Sequence, residues 1–367
     1  MQQTTRKRVE SVDILRGFTI VAMILVNNPG TWGSVYAPLL HAEWHGLTPT
    51  DLIFPFFIFI VGISISYAYK NKTTHFNTYK KIALRSLKLI GLGLFLAWFL
   101  PYFPFFKSFE TLRFPGVLQR IGVVFFISAI LFLNFNWKYL LAIGCSLLIG
   151  YWLFLGYVPL PDGSLPTFDR AANNWANYID LTVLGEHMWK ADYDPEGLLS
   201  TLPAIVTCIS GILIGKLMAF TERKKELILM VVGILLLVIG TIWSRWFPLN
   251  KAIWSSSFVL VTSGWATIIL AIVYYFSEVK KIQFGSIFKY VGMNAITIFF
   301  LSGLIAKSFY LIKIEGKTSI HAWLYQTFFV YDFMDSKLSS LLYALITISF
   351  YVLLGYVMYK KKIIIEV

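Results

Sequence analysis

Runs of about twenty apolar residues, the length a helix needs to cross the hydrocarbon of a bilayer, recur from one end of the chain to the other. Read with their breakers, they fall at 14–31, 52–69, 83–100, 117–134, 139–158, 198–219, 227–247, 253–276, 288–307 and 339–359. The pattern predicts an all-α polytopic integral membrane protein of about ten transmembrane helices. No repeat or low-complexity linker divides the chain, so residues 1–367 read as a single transmembrane domain. Composition closes off the soluble alternative. Of the residues, 57% are apolar and 14% charged, against about 45–50% and about 25% in soluble domains. The stretch 319–335 is aromatic and amphipathic but too short and too polar for a span, and an interfacial or re-entrant segment is expected there.

A formal charge of +13 would suggest nucleic acid in a soluble protein. Beside membrane spans, basic residues mark the cytoplasmic side first. With ten spans and the N-terminus inside, 21 of the 32 Lys and Arg fall on the inner side, among them Arg6, Lys7, Arg8, Arg223, Lys280, Lys281 and Lys289. The longest outer loop, 159–197, sets Asp162, Asp169, Asp180, Glu186, Asp192, Asp194 and Glu196 against Arg170 and Lys190. Both termini are therefore expected in the cytoplasm, with the lipid bilayer and not nucleic acid as the partner of the positive charge. The basic N-terminus runs into an apolar segment that carries Arg16 and lacks a small-residue cleavage site, so a retained first helix is expected rather than a signal peptide. Cys145 and Cys208 lie in apolar stretches, where a thiol acts as a small hydrophobe, and they offer no disulfide framework.

Polar groups in or beside the hydrocarbon are costly and mark functional candidates. The loop LLHAEWHGLTPTDLIFPFF holds His41, Glu43, His45 and Asp51 within eleven positions. An imidazole titrates near neutrality and can take a proton from a nucleophile. A carboxylate at Asp51 could orient it and stabilise its cation. The plainer reading makes the histidines interfacial and gives the N-cap of span two to Thr50 or Asp51. HAEWH lacks the HExxH spacing of a helical zinc site. In VDILRG, Asp13 and Arg16 stand one turn apart and can pair, or Arg16 can receive a phosphate. Asn27 and Asn28 offer amide donors at the other end of that span, able to hold an acyl oxygen. Arg113, Gln119 and Arg120 flank span four on the outer side, where a guanidinium needs Glu43, Asp51, an acidic loop residue or a ligand. Lys251 with Ser255, Ser256 and Ser257, Asn294 about two turns inside its helix, and Glu196 complete the set.

Taken together, RVESVDILRGFTIVAMILVN, HAEWHGLTPTDLIFPFFIFIVG, RFPGVLQRIG, YDPEGLLSTLPAIVTCISGILIGK, FPLNKAIWSSSFVL and YVGMNAITIFF resemble the heparan-alpha-glucosaminide N-acetyltransferase family, in the family's order, from about residue 8 to residue 306. The resemblance implies a membrane acetyltransferase, free of metal, that moves an acetyl group from acetyl-CoA to the amine of a glucosamine-type sugar. His41 matches the family's catalytic histidine, Asp51 the aspartate ten positions beyond it, and Asn27 the asparagine closing the preceding helix. The chain lacks the lumenal domain and extra helix of the animal lysosomal members, and has His45 where they have Asn. The expected setting is a bacterial inner membrane, crossed many times, with a homodimer allowed.

Acetyl transfer from a thioester to an amine needs a base, a donor for the developing oxyanion and exclusion of water. His41 would be the base or an acetyl carrier, Asn27 a donor and Asp51 the support of the imidazole. Arg16, Arg120, Asn294 and Ser255 are the candidate acetyl-CoA contacts, with Lys280, Lys281 and Lys289 at the inner mouth. Two other classes remain open at this point. A secondary transporter of a small sugar or anion would show corresponding broken segments in two related halves, and none is visible in the sequence. An O-acyltransferase of envelope polysaccharide would use the same histidine. The charge split places the 159–197 loop outside. A cysteine introduced between 165 and 190 is expected to react with an impermeant label from the periplasmic face, and labelling from the cytoplasmic face alone would refute the topology.

Overall fold

The computed structural model describes residues 9–72, 74–221, 224–283 and 285–365. Arg6, Lys7, Arg8 and Arg223 of the inner basic set lie outside them. The helices are α1 (Glu10–Asn27), α2 (Pro49–Ala68), α3 (Phe76–Trp98), α4 (Val117–Asn134), α5 (Trp137–Tyr157), α6 (Trp175–Leu184), α7 (Thr201–Phe220), α8 (Lys225–Trp243), α9 (Ser256–Tyr274), α10 (Ser286–Gly292), α11 (Ala295–Leu311), α12 (Ile320–Phe329) and α13 (Ser336–Lys360). Apart from a ribbon of two short strands, β1 (Lys313–Ile314) and β2 (Thr318–Ser319), the fold is all-α.

Each predicted apolar run holds a helix, and among the described residues seven helices are long and apolar enough to cross a membrane: α2, α4, α5, α7, α8, α9 with its π-helical extension, and α13. The run at 288–307 is not one helix. It breaks between Gly292 and Ala295, and α10 and α11 meet at a bend of 80°; together they are apolar enough for an eighth span. α1 and α3 have the length, 18 and 23 residues, but carry Glu10, Asp13 and Arg16, and Lys80, Lys81, Arg85 and Lys88. Counting both as spans gives the ten of the sequence. The 319–335 stretch folds as α12, whose ten residues rise only about 15 Å, half the hydrocarbon thickness.

The interior is built on α1, α2, α7 and α9, while α5, α8 and α13 turn most of their side chains outward. Between lipid-soluble helices the hydrophobic effect gives no preference for one partner, so close packing of small residues sets the pairs. Gly211 and Gly215, four apart on α7, face α2, where a Cβ on Gly211 would strike the Phe59 carbonyl oxygen. Gly62 answers from α2 against the carbonyl of Cys208. Gly17 of α1 and Gly292 of α10 bring those two helices together in the same way. This packing fixes α2 deeply enough that Phe59 and Ile63 are fully buried. The start of α2 is thereby held as a rigid platform.

Candidate active site

The loop after α1 returns to α2 through a helix N-terminus made for the purpose. Thr48 is the N-cap, Pro49 follows it and Asp51 stands at the third helical position, the arrangement of a capping box. The Asp51 Oδ2 accepts hydrogen bonds from the Thr48 backbone N–H (3.1 Å) and the Ala42 N–H (3.1 Å), and shares the one Thr48 hydroxyl proton (3.0 Å) with the Leu40 carbonyl (2.8 Å). Its Oδ1 faces the His41 Nδ1 at 2.6 Å. The N-cap is thus Thr48 rather than Thr50 or Asp51; Thr50 turns its hydroxyl to the Pro38 carbonyl. Asp51 combines the two readings left open by the sequence, closing the cap with one oxygen and holding the imidazole with the other.

Burial separates the two partners. The Asp51 side chain is 1% exposed and that of His41 is 51% exposed. A carboxylate surrounded by donors can only accept, so Nδ1 carries the proton and the lone pair of Nε2 is left for chemistry. His45 is wired differently. Its Nδ1 receives the Asn250 amide (3.3 Å) and its Nε2–H donates to Asp169 (2.9 Å), so neither nitrogen is spare. Glu43 is exposed and takes no part in the His41–Asp51 pair.

A third group reaches this pair from a distant part of the chain. The turn 248–255 is rigid: Ser255 caps α9, donates to the Pro248 carbonyl and accepts from Asn250 N–H, and Asn250 and Trp254 are fully buried. From it Lys251 extends its Nζ to 3.1 Å from Nδ1 and 3.2 Å from Nε2 of His41, and 3.8 Å from Asp51. An atom that near to both ring nitrogens cannot lie in the ring plane without striking the ring carbons. The ammonium therefore rests over the face of the imidazole. Burial drives the Lys251 pKa below its ordinary value, against the pull of Asp51 and Glu196.

Behind the pair, the 159–197 loop is tied to the start of α4. Arg113 binds Asp194 in a fork and also Glu196, which meets the expectation of an acidic loop partner. Burial works against its charge, yet the two carboxylates hold its pKa above the ordinary value. Arg120 is buried, donates to the Gly197 carbonyl and the Ser200 hydroxyl, and lies over the Trp254 ring. Its Nε and Nη1 have no partner among the described residues. Asp180 receives the backbone N–H groups of Asp194 and Leu198. Burial nevertheless raises its pKa to about 6.

The other sequence candidates are not at this site. Arg16 pairs with Asp13 at 2.8 Å and reaches Ser64 and the Gly292 carbonyl. Thirteen residues of α2 separate Ser64 from Asp51, about 20 Å along the helix, so Arg16 belongs to the opposite end. Asn294 does not stand two turns inside a helix; it lies at the break before α11, and its amide is taken by the Ile363 carbonyl and the Ile365 N–H, both at 2.9 Å. The Ser255 hydroxyl is occupied by its cap bonds. Asn27 is exposed as the last residue of α1, and no described contact of His41, Asp51 or Lys251 includes it. Cys145 is exposed and Cys208 buried. Of the groups at the site, sequence reasoning left Lys251 without a role, because its partner lies 210 positions away.

Residues 8–229 match the family model described as heparan-alpha-glucosaminide N-acetyltransferase, catalytic. The chain belongs to this family. It is 28% identical to the human protein named heparan-alpha-glucosaminide N-acetyltransferase, over 97% of this chain and 59% of that one. It is also 28% identical to the mouse protein of the same name, over 99% and 61%. The chain therefore spans about three fifths of the length of these curated relatives. His41, Asp51, Arg113, Arg120 and Glu196 fall inside the family match, and Lys251 lies beyond it.

The 159–197 loop should respond to pH through Asp180. Its folded pKa, about 6, is above the 3.8 of the unfolded chain, so the stability it contributes is full below pH 3.8 and lost as pH rises through 6. Wild type is expected to gain about 1 kcal/mol relative to Asp180→Asn between pH 7 and pH 5. Thermal melts of both proteins at the two pH values check this; parallel melts would contradict it.

Proposed function

We propose that the protein transfers an acetyl group from cytoplasmic acetyl-CoA to the amine of a glucosamine-type sugar at the periplasmic side of a bacterial inner membrane. The observation that carries this reading is the His41–Asp51 pair, a solvent-facing imidazole with Nε2 free, held by a buried carboxylate. The family match supports the reaction class. In this reading Nε2 takes the proton of the attacking amine, and Asp51 stabilises the imidazolium that results. An acetyl group carried on Nε2 before transfer uses the same geometry. The nucleotide of acetyl-CoA lies at the inner mouth near Arg16 and Lys289, some 20 Å of helix from His41, a span suited to its pantetheine arm.

The bend between α10 and α11 gives a second reading some support, because transporters use broken helices at their substrate sites. It lacks the matched second break that such a fold calls for among the described helices. Transfer separates the two. Purified protein with labelled acetyl-CoA and a panel of amino and neutral sugars is expected to acetylate amines; a product on hydroxyls would assign it to O-acetylation, and uptake without product to transport.

Three variants then test the residues. His41→Ala is expected to lower turnover about 10²–10⁴-fold with acetyl-CoA binding kept, whereas His45→Asn retains substantial activity. In Asp51→Asn, the three donors at Oδ2 hold the amide oxygen there and turn its NH₂ toward Nδ1. The imidazole proton must then move to Nε2, and turnover falls steeply. Near wild-type turnover in Asp51→Asn, or equal losses at 41 and 45, would overturn the assignment.

A further inference from the structure

Lys251 is the cation nearest the free nitrogen of His41, and nothing in its local sequence gives it a partner. Four features define its place. Its Nζ is 3.2 Å from Nε2 and over the face of the ring, its side chain is 19% exposed, its backbone is clamped in the 248–255 turn by the buried Asn250 and Ser255, and its charge is matched by Asp51 at 3.8 Å. Asp51 does not require it, since that carboxylate already has four hydrogen bonds from His41, Ala42 and Thr48.

Transfer gives this placement a use. We infer that Lys251 is a catalytic residue of the proposed transfer, donating to the oxyanion that develops on the acetyl carbonyl. The inference rests on the acetyltransferase reading. The amine hydrogen-bonds to Nε2 and its nitrogen bonds to the carbonyl carbon while the carbonyl oxygen takes the negative charge. That oxygen is two bonds from the amine nitrogen held at Nε2, so it falls within reach of a donor standing over the ring. The carbonyl re-forms as the thioester C–S bond breaks. The amine proton, first taken by His41, passes to the departing sulfur, and amide and free thiol balance amine and thioester. Asn27, exposed and outside the contacts of His41, is not needed for this step.

The groups facing Lys251 are His41 from the loop before α2, Asp51 from α2, Glu196 from the segment before α7 and Arg120 from α4. The two carboxylates hold its proton; burial and Arg120 loosen it. Oxyanion donation then requires an alkaline limb in turnover, with KM for acetyl-CoA held, as Lys251 deprotonates, a feature that a packing role would not produce.

The test measures turnover, KM and the pH profile in wild type, Lys251→Met and Lys251→Arg. Lys251→Met is expected to lose about 10²–10³-fold in turnover, the range for one oxyanion donor, with KM for acetyl-CoA within a few fold and the alkaline limb gone. Lys251→Arg is expected to keep part of the activity and to move the limb upward, because a guanidinium keeps its proton. If the methionine variant does not fold, the arginine profile decides alone. Wild-type turnover in Lys251→Met, or an alkaline limb unmoved in Lys251→Arg, overturns the inference while leaving the acetyltransferase reading in place. Absence of transfer by wild type would instead remove that reading.

Discussion

Almost everything at the end of the bundle where α2 begins is arranged around one buried charge, the carboxylate of Asp51. A carboxylate with 1% exposure is tolerable only if its lone pairs are filled, and truncating a partner of such a group costs about 3–5 kcal/mol. Four hydrogen bonds from three residues meet that requirement. The cap of α2, the path of the 40–48 loop and the tautomer of His41 thus follow from a single satisfaction problem. The imidazole is the one partner left half exposed.

The bundle reinforces this by direction. α2, α4, α7 and α9 all begin at the same end, at Pro49, Val117, Thr201 and Ser256, beside the segments that carry Asp51, Arg120, Glu196 and Lys251. The N-terminal, positive ends of four helix dipoles therefore lie at the end of the bundle that holds the His41–Asp51 pair. The Arg113–Asp194–Glu196 fork and Arg120 anchor the 159–197 loop across this end, so this acidic stretch also closes the back of the site. Glycine contacts between α2 and α7 keep those two N-termini in register.

Features carried by near neighbours in the chain were legible from the sequence. The Asp13–Arg16 pair, three positions apart, formed as expected, and the His41–Asp51 pair, ten apart, is joined by one short loop. Apolar length found every long helix, and the brevity of 319–335 showed through as α12. Arg113 found its acidic partner because an unpaired guanidinium by the hydrocarbon demands one. What was hidden depends on folding. The face of His41 meets Lys251 across 210 positions. The break in the 288–307 run occurs at Gly-Met-Asn, without proline, and is sustained by the tail residues Ile363 and Ile365, which satisfy Asn294. Asp51 was placed at the right end of span two, yet its double duty required seeing which donors surround each oxygen.

The central claim is that Asp51 sets the tautomer of His41 and leaves Nε2 bare. Nitrogen-15 NMR of histidine-labelled protein in lipid, at a pH where the ring is neutral, reads this directly, with His41→Ala assigning the signal among the five histidines. The account predicts a protonated Nδ1 and an unprotonated Nε2 in wild type, and a shift of the proton to Nε2 in Asp51→Asn. A wild-type His41 protonated at Nε2, or a tautomer that does not respond to Asp51→Asn, would contradict it.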